Sequence, residues 1–163
     1  MAHLLLLLKL LHLTTVVAFL AGIVGRAVTF SHASRAATFP AAAGLLAASE
    51  IFDRWLVIPG SLLVLLTGGA AAGVGHWSFR TPEGSPTWLL TAVILYLSLI
   101  PLVAIVLAPR RRRRESALQA AFQAGEMTPE LRAALADPAV RWSRRYEWLV
   151  VVAVFVLMVL KPF

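Results

Sequence analysis

The first apolar run of the chain contains two side chains that can carry charge, Lys9 and His12. They are three residues apart, so a helix would place them on one face, about one turn from each other. Ionisable groups at membrane depth are costly and are candidates for function. An imidazole near the middle of a span needs a partner, which can be a carbonyl, a hydroxyl of another helix or a metal ion. The residues alone leave three hypotheses open: an interior histidine held by hydrogen bonds, an axial haem ligand, and a step in a proton relay.

Haem is the cofactor that this pair would suit. His12 would bind the iron, and Lys9 could meet a porphyrin propionate, although its long stem can also reach the membrane surface. The remaining histidines (His3, His32 and His76) fall near the ends of apolar runs or in a loop, away from the depth of His12. A bound haem would therefore have five ligands or a weaker sixth one, and no cluster of histidines and carboxylates suggests another metal.

Signatures of other chemistry are missing from the sequence. The chain has no cysteine, which excludes disulfides, thiolate metal sites and cysteine nucleophiles. It has no paired catalytic carboxylates and no nucleophile–base pair. The glycine-rich stretch at 68–75 lies inside an apolar run rather than after a strand, so it is not a nucleotide-binding loop. These observations favour a non-catalytic protein and leave an enzyme as the open alternative.

Four apolar stretches must position these side chains. Of the 163 residues, 60% are apolar and 14% are charged, against about 45–50% and about 25% in soluble domains. A helix crosses a hydrocarbon core of about 30 Å with about 20 residues. The predicted spans are about 4–24, 55–75, 88–108 and 146–160. The sequence therefore predicts an all-α protein, a polytopic membrane four-helix bundle that forms a single integral membrane domain over residues 1–163.

The charges lie mainly between the spans. The net charge is +7, but the arginines flank apolar runs, which indicates membrane orientation rather than nucleic-acid binding. Arg26, Arg35 and Arg54 fall between the first two spans, and the segment 109–145 is richer still in arginine. Positive segments favour the cytoplasmic side, so both termini are predicted to be external in the bacterial cytoplasmic (inner) membrane. The five tryptophans fall near predicted span ends, at headgroup depth: Trp55, Trp77, Trp88, Trp142 and Trp148.

The cytoplasmic segment 109–145 is predicted to contain a short helical hairpin between the third and fourth helices. One helix covers 115–124 and stops at Gly125, and a second begins after Thr128 as N-cap and ends at Asp137. This hairpin either joins two spans or forms a docking surface for a partner. A run of five arginines before it is predicted to anchor the third span and to contact anionic lipid: Arg110, Arg111, Arg112, Arg113 and Arg114.

Proline and small residues give further expectations. Pro40 suits the first turn of an amphipathic helix over 41–54 that leads into the second span. Pro59 frees the carbonyl of Trp55, which Ser61 or a neighbouring helix could satisfy. Pro101 predicts a kink in the third span. Two small-xxx-small pairs favour close packing of the first two spans, with a flat cofactor against the exposed backbone as the alternative: Ala18 with Gly22, and Gly69 with Gly73.

Three short stretches carry a resemblance to known proteins. They are LKLLH at 8–12, EIFDRW at 50–55 with PG at 59–60 and LTG at 66–68, and KPF at 161–163. The chain resembles, over nearly its whole length, a family of small bacterial integral membrane proteins known only as a domain of unknown function. That resemblance implies a membrane protein and does not point to any particular activity.

The same landmarks more distantly resemble the HemJ-type protoporphyrinogen oxidases, four-helix membrane proteins with haem b. That resemblance implies an axial ligand at His12 with Lys9 in the same region. HemJ-type proteins carry Trp-Leu-His-x-Lys at the start of the third helix, where this chain reads TWLLT at 87–91. The haem site is carried over and the oxidase activity is not. A second hypothesis is an accessory subunit of a respiratory or photosynthetic complex, with a membrane protein partner or a homo-oligomer, and a HemJ-like oxidase is the third.

Overall fold

The computed structural model describes residues 2–75 and 87–160. Within these ranges the chain forms helices joined by short turns, which confirms the all-α prediction. It divides into two compact units, Met1–Ser78 and Phe79–Phe163. His76, Trp77 and the terminal KPF motif lie outside the described residues.

The first unit is a helical hairpin. Its elements are α1 (Ala2–Ala33), α2 (Phe39–Phe52), a first π-helical segment (Asp53–Val57) and α3 (Ile58–Val74). The chain reverses direction over residues 34–38, where the amide of Ser34 bonds the carbonyl of Phe30 at 3.0 Å. α1 packs along α2, the π segment and α3. The predicted lead-in to the second span is therefore part of the hairpin, with Pro40 in its first turn as expected.

The second unit also folds back on itself. Its elements are α4 (Thr87–Leu97), α5 (Leu99–Pro101), a second π-helical segment (Leu102–Leu107), α6 (Ala108–Ala124), α7 (Pro129–Leu135) and α8 (Pro138–Leu160). α4 and the second π segment contact α8, and α6 contacts α7. The regular α-helix is interrupted at Ser98, three residues before Pro101, where the sequence predicts a kink.

Each π segment ends two residues before a proline. The amide of Ile58 bonds the carbonyl of Asp53 ahead of Pro59, and the amide of Ala108 bonds that of Val103 ahead of Pro109. A proline lacks the amide hydrogen of a helical bond, and its ring crowds the carbonyl four residues earlier. A widened turn relieves that crowding without ending the helix. Near Pro59, Ser61 donates to the carbonyl of Ile58 at 2.8 Å.

The predicted hairpin between the third and fourth long helices is confirmed. Gly125 has φ +71 and ends α6, and the side chain of Thr128 accepts a bond from the amide of Leu131 at 3.3 Å. Asp137 then begins α8 by accepting a bond from the amide of Ala139 at 2.8 Å. The start of the first helix was predicted wrongly. α6 begins at Ala108, so the five arginines lie on a helix that continues from the third apolar run.

Among residues 2–75 and 87–160, three helices are long and apolar enough to cross a membrane: His3–Ala33, Phe39–Val74 and Thr87–Ala124. Their 31, 36 and 38 residues correspond to about 47–57 Å, so each exceeds the hydrocarbon core and extends past it. α8 is one helix of 23 residues. Its first half carries several charges, so the fourth span remains a prediction.

The tryptophans do not all occupy comparable positions. Trp55 and Trp142 are exposed, which suits headgroup contact. Trp88 is only 7% exposed and belongs to the core of the second unit. Its place at the end of a predicted span therefore reflects packing, because helix α4 turns this ring towards its own neighbours rather than outward.

Candidate functional site

The first unit has two arms: α1 is the first, and α2, the first π segment and α3 together form the second. Glycines bring these two arms close to each other. A Cβ added at Gly22 would lie 2.6 Å from the Cβ of Leu56, and one added at Gly60 would lie 3.1 Å from the Cβ of Phe19. Gly25 similarly leaves room for the ring of Phe52. These contacts confirm Gly22 as a packing residue and let side chains of the two arms reach each other.

The other small-residue pair was predicted wrongly. A Cβ added at Gly69 or Gly73 would meet nothing within 4 Å. In the described structure these two glycines lie on a face of α3 that does not contact α1. The α3 glycines at the contact are Gly60 and Gly68 instead. The physical reason is the register of the hairpin, which turns the side of α3 bearing Thr67 and Gly68 towards α1.

His12 meets Thr67 across this contact. The Nδ1 atom of His12 lies 3.0 Å from the hydroxyl oxygen of Thr67. Thr67 is 7% exposed, and its hydroxyl lies 2.6 Å from the carbonyl oxygen of Leu63. The hydroxyl of another helix is one of the partners that the sequence suggests for an imidazole at this depth, and the structure supplies it.

The bond network fixes the tautomer of His12. A hydroxyl has one proton, and the Leu63 carbonyl can only accept, so Thr67 donates to Leu63. Towards His12 the Thr67 oxygen is therefore an acceptor, and the Nδ1 atom of His12 must carry the proton. In the uncharged imidazole this leaves Nε2 with a free lone pair, which is the form that binds a metal ion.

Gly68 lies against the imidazole. A Cβ added at Gly68 would be 2.9 Å from Cε1 of His12 and 3.6 Å from Nε2. Only glycine therefore leaves the ring in its present position beside Thr67. Neither Thr67 nor Gly68 was identified from the sequence as part of the site, although both lie in the LTG stretch that carries the family resemblance.

The other predicted site residue, Lys9, is exposed on α1, one turn from His12, at the spacing that the sequence predicts. His32 lies in the last turn of α1, where its Nδ1 atom is 2.9 Å from the carbonyl oxygen of Val28. Among the described residues no group of three or more histidine, cysteine or carboxylate side chains could hold a metal ion. His12 is therefore the candidate nitrogen ligand of the site among the described residues.

An ion pair missed by the sequence reasoning joins the same two arms. The Nη1 atom of Arg26 lies 3.0 Å from Oδ1 of Asp53, with side chains 12% and 18% exposed. Arg26 was predicted to lie in a connecting loop. It is inside α1, because α1 continues to Ala33. Asp53 is the first residue of the π segment. This ion pair and the His12–Thr67 bond therefore fix the register of α1 against the second arm at two positions along the hairpin.

Comparison with known proteins gives one finding. Residues 6–162 match a family described as predicted integral membrane protein (DUF2269). The chain belongs to this family. No curated protein and no solved structure matches it. The family resemblance predicted from the LKLLH, EIFDRW and KPF stretches is confirmed, and the chain is an integral membrane protein of this DUF2269 family.

Proposed function

We propose that this DUF2269 protein binds haem b, with His12 as an axial ligand of the iron. The observation that supports the proposal best is the hydrogen bond from Nδ1 of His12 to Thr67. Histidines that bind metals usually donate their other ring nitrogen to an oxygen, which fixes the tautomer and orients the ring. Thr67 performs that role here, and Nε2 is left as the ligand atom.

The surroundings of His12 fit such a ligand. Gly68 holds no side chain where the ring lies, and His12 is half-buried at the contact of two apolar helices. Lys9 lies one turn along the same face and is exposed, so its ammonium group could pair with a propionate carboxylate. When bound, haem b supplies one-electron transfer or the binding of a small ligand at the iron.

The absorption spectrum of the purified protein tests this proposal. The full chain is purified in mild detergent from cells supplied with haem precursor, and the Soret band is measured per mole of protein. We expect about one haem per chain in the parent and loss of the band in His12→Ala. Added imidazole should restore the band in His12→Ala, because it supplies the missing nitrogen ligand.

Two further variants separate ligation from folding. His32→Ala removes another histidine of the same helix, one whose Nδ1 atom contacts the carbonyl oxygen of Val28, and should leave the band unchanged. Thr67→Val should keep the haem but shift its reduction potential, because the ligand loses its oriented hydrogen bond. A parent protein without stoichiometric haem, or a His12→Ala variant that keeps the parent spectrum, would overturn the proposal.

The proposal includes an orientation of the chain in the membrane. We place both termini outside the bacterial cytoplasmic membrane, with residues 34–38 and the arginine-rich end of α6 inside, since positive residues favour the cytoplasmic face. An accessory subunit role stays a second hypothesis, supported by Gly69 and Gly73, which face away from α1 within the first unit. Mild-detergent purification that yields only the free monomer would exclude it.

A HemJ-type oxidase activity stays a more distant hypothesis, and no observation on the described residues supports it. Rescue of a strain that lacks protoporphyrinogen oxidation is its direct test.

A further inference from the structure

A shallow, widely open groove of about 370 Å³ lies on the surface of the second unit, between the second π segment and α8. It is lined by Ser98, Pro101, Leu102, Ile105, Val106 and Tyr146. The lining belongs mainly to the apolar helix Thr87–Ala124, one of the three that can cross a membrane. The lining covers about 12 Å of this helix, from Ser98 to Val106, and would face the hydrocarbon phase when the helix crosses a membrane.

The two polar side chains of the groove are satisfied by the protein. The hydroxyl of Ser98 lies 2.6 Å from the carbonyl oxygen of Leu95, to which it donates. The Ser98 oxygen lies 2.7 Å from the phenolic oxygen of Tyr146, which must then be the donor. No polar hydrogen of this pair is left for a ligand, so the groove offers an apolar wall that suits a hydrocarbon chain.

Positive charge begins where the groove ends. The guanidinium of Arg110 folds back to the carbonyl of Val106, a lining residue, at 2.9 Å. Asp137 lies 3.2 Å from Nε of Arg110, and Glu115 pairs with Arg111 at 2.9 Å. Two carboxylates thus face the run of five arginines at 110–114, and the exposed Arg112 and Arg113 add to the excess of positive charge.

We propose that this groove binds one anionic glycerophospholipid, with an acyl chain along the π segment and its phosphate near the exposed Arg112 and Arg113. The charge complementarity decides the occupant. A juxtamembrane arginine cluster attracts anionic headgroups, and each arginine near the surface contributes about 1 kcal/mol to that attraction. A zwitterionic lipid has the same acyl chains, but its headgroup ammonium opposes this attraction.

Native mass spectrometry of the full chain tests the proposal. The protein is extracted from vesicles with equal amounts of phosphatidylglycerol and phosphatidylcholine, and the retained lipid is identified and counted. We expect one phosphatidylglycerol per chain. Ile105→Trp, at a lining position that is 72% exposed, should fill the groove and lower this retention about tenfold. Ile94→Trp, at a 59% exposed position of α4 outside the lining, should leave it unchanged.

A second pair of variants tests the headgroup contact. Neutralising Arg112 and Arg113 together (Arg112→Gln, Arg113→Gln) should lower the preference for phosphatidylglycerol about thirtyfold. The same charge change at exposed positions away from the groove (Arg132→Gln, Arg141→Gln) should leave it intact. Equal retention of the two lipids, an isoprenoid quinone in place of the phospholipid, or full retention in Ile105→Trp would overturn the proposal. None of these readouts depends on haem.

Discussion

His12 is held by two neighbours that act on different atoms. Thr67 accepts a hydrogen bond from Nδ1, whereas Gly68 provides the space beside Cε1. Thr67 therefore sets which nitrogen is protonated, and Gly68 sets where the ring lies. The two are adjacent in the sequence, so one short stretch of α3 determines both the chemistry and the position of the candidate ligand.

Alanine substitutions of three glycines should separate close contacts from open space. Gly22→Ala should cost about 2–3 kcal/mol of the free energy of unfolding, because the added Cβ meets the Cβ of Leu56 close to the backbone. Gly68→Ala should cost about 1 kcal/mol, because the ring of His12 can move but loses its bond to Thr67. The measurement is detergent titration followed by circular dichroism.

Gly69→Ala is the matched control for this series. It adds the same methyl group one residue further along α3, where a Cβ meets nothing within 4 Å. We expect no loss of stability, since alanine also favours the helix over glycine. A Gly69→Ala variant as unstable as Gly68→Ala would contradict the described register of α1 against α3.

Among the elements, the first hairpin depends on the ion pair between Arg26 and Asp53. Removing one partner leaves the other charge largely buried, and breaking a fully buried pair costs about 3–5 kcal/mol. At 12% and 18% exposure some hydration remains, so we expect about 2–3 kcal/mol for Asp53→Asn. Arg26→Gln combined with Asp53→Asn should recover part of this loss in a double-mutant cycle.

The exposed pair between Arg111 and Glu115 is the control for that cycle. It joins residues four apart on α6, with side chains 37% and 52% exposed. Surface pairs of this kind contribute about 0.3–0.5 kcal/mol. A coupling energy for Arg26 and Asp53 no larger than this one would show that the buried pair does not hold the two arms together.

The turn between α6 and α7 depends on a left-handed residue. Gly125 has φ +71, which costs an L-amino acid about 1–2 kcal/mol. Gly125→Ala should therefore destabilise the α6–α7 hairpin and speed amide hydrogen exchange in α7. Gly44→Ala, at an open helical position of α2, should be neutral or stabilising. Equal exchange rates in the two variants would argue against the described turn.

At the scale of elements, the sequence predicts what local chemistry determines. Gly125, Thr128 and Pro40 act on their own backbone, and their predicted places at helix ends are confirmed. Contacts between helices are harder to predict from the sequence. The predicted packing of Gly69 with Gly73 is wrong, because spacing along one helix does not say which face meets a neighbour. The opposite charges of Arg26 and Asp53 could have predicted which face of α3 contacts α1, because pairing these two residues places His12 opposite Thr67.

The apolar runs also underestimate the lengths of the helices. Hydropathy ends the first predicted span at residue 24, but α1 continues to Ala33. A helix does not stop where the surroundings become polar, because its backbone bonds are internal and its polar residues can pair with a neighbouring helix. Arg26 illustrates this, since its charge ends the apolar run and yet packs inside the hairpin.

For the whole molecule, the proposed orientation predicts the location of reporter fusions. Alkaline phosphatase fused after residue 36 or after residue 126 should be inactive, since both turns are placed in the cytoplasm, and a fusion at the C-terminus should be active. Green fluorescent protein at the same positions should show the opposite pattern. An active phosphatase after residue 126 would contradict the placement of the arginine-rich end, and an inactive one at the C-terminus would contradict α8 as a span.

The first hairpin also limits how its sequence can change in length. Arg26 lies fourteen positions after His12, and Thr67 lies fourteen positions after Asp53. A single insertion between either pair would rotate one end of that helix by about 100° and separate one of the two bonded pairs. Insertions and deletions should therefore be excluded from these two intervals and tolerated at residues 34–38, where the chain reverses.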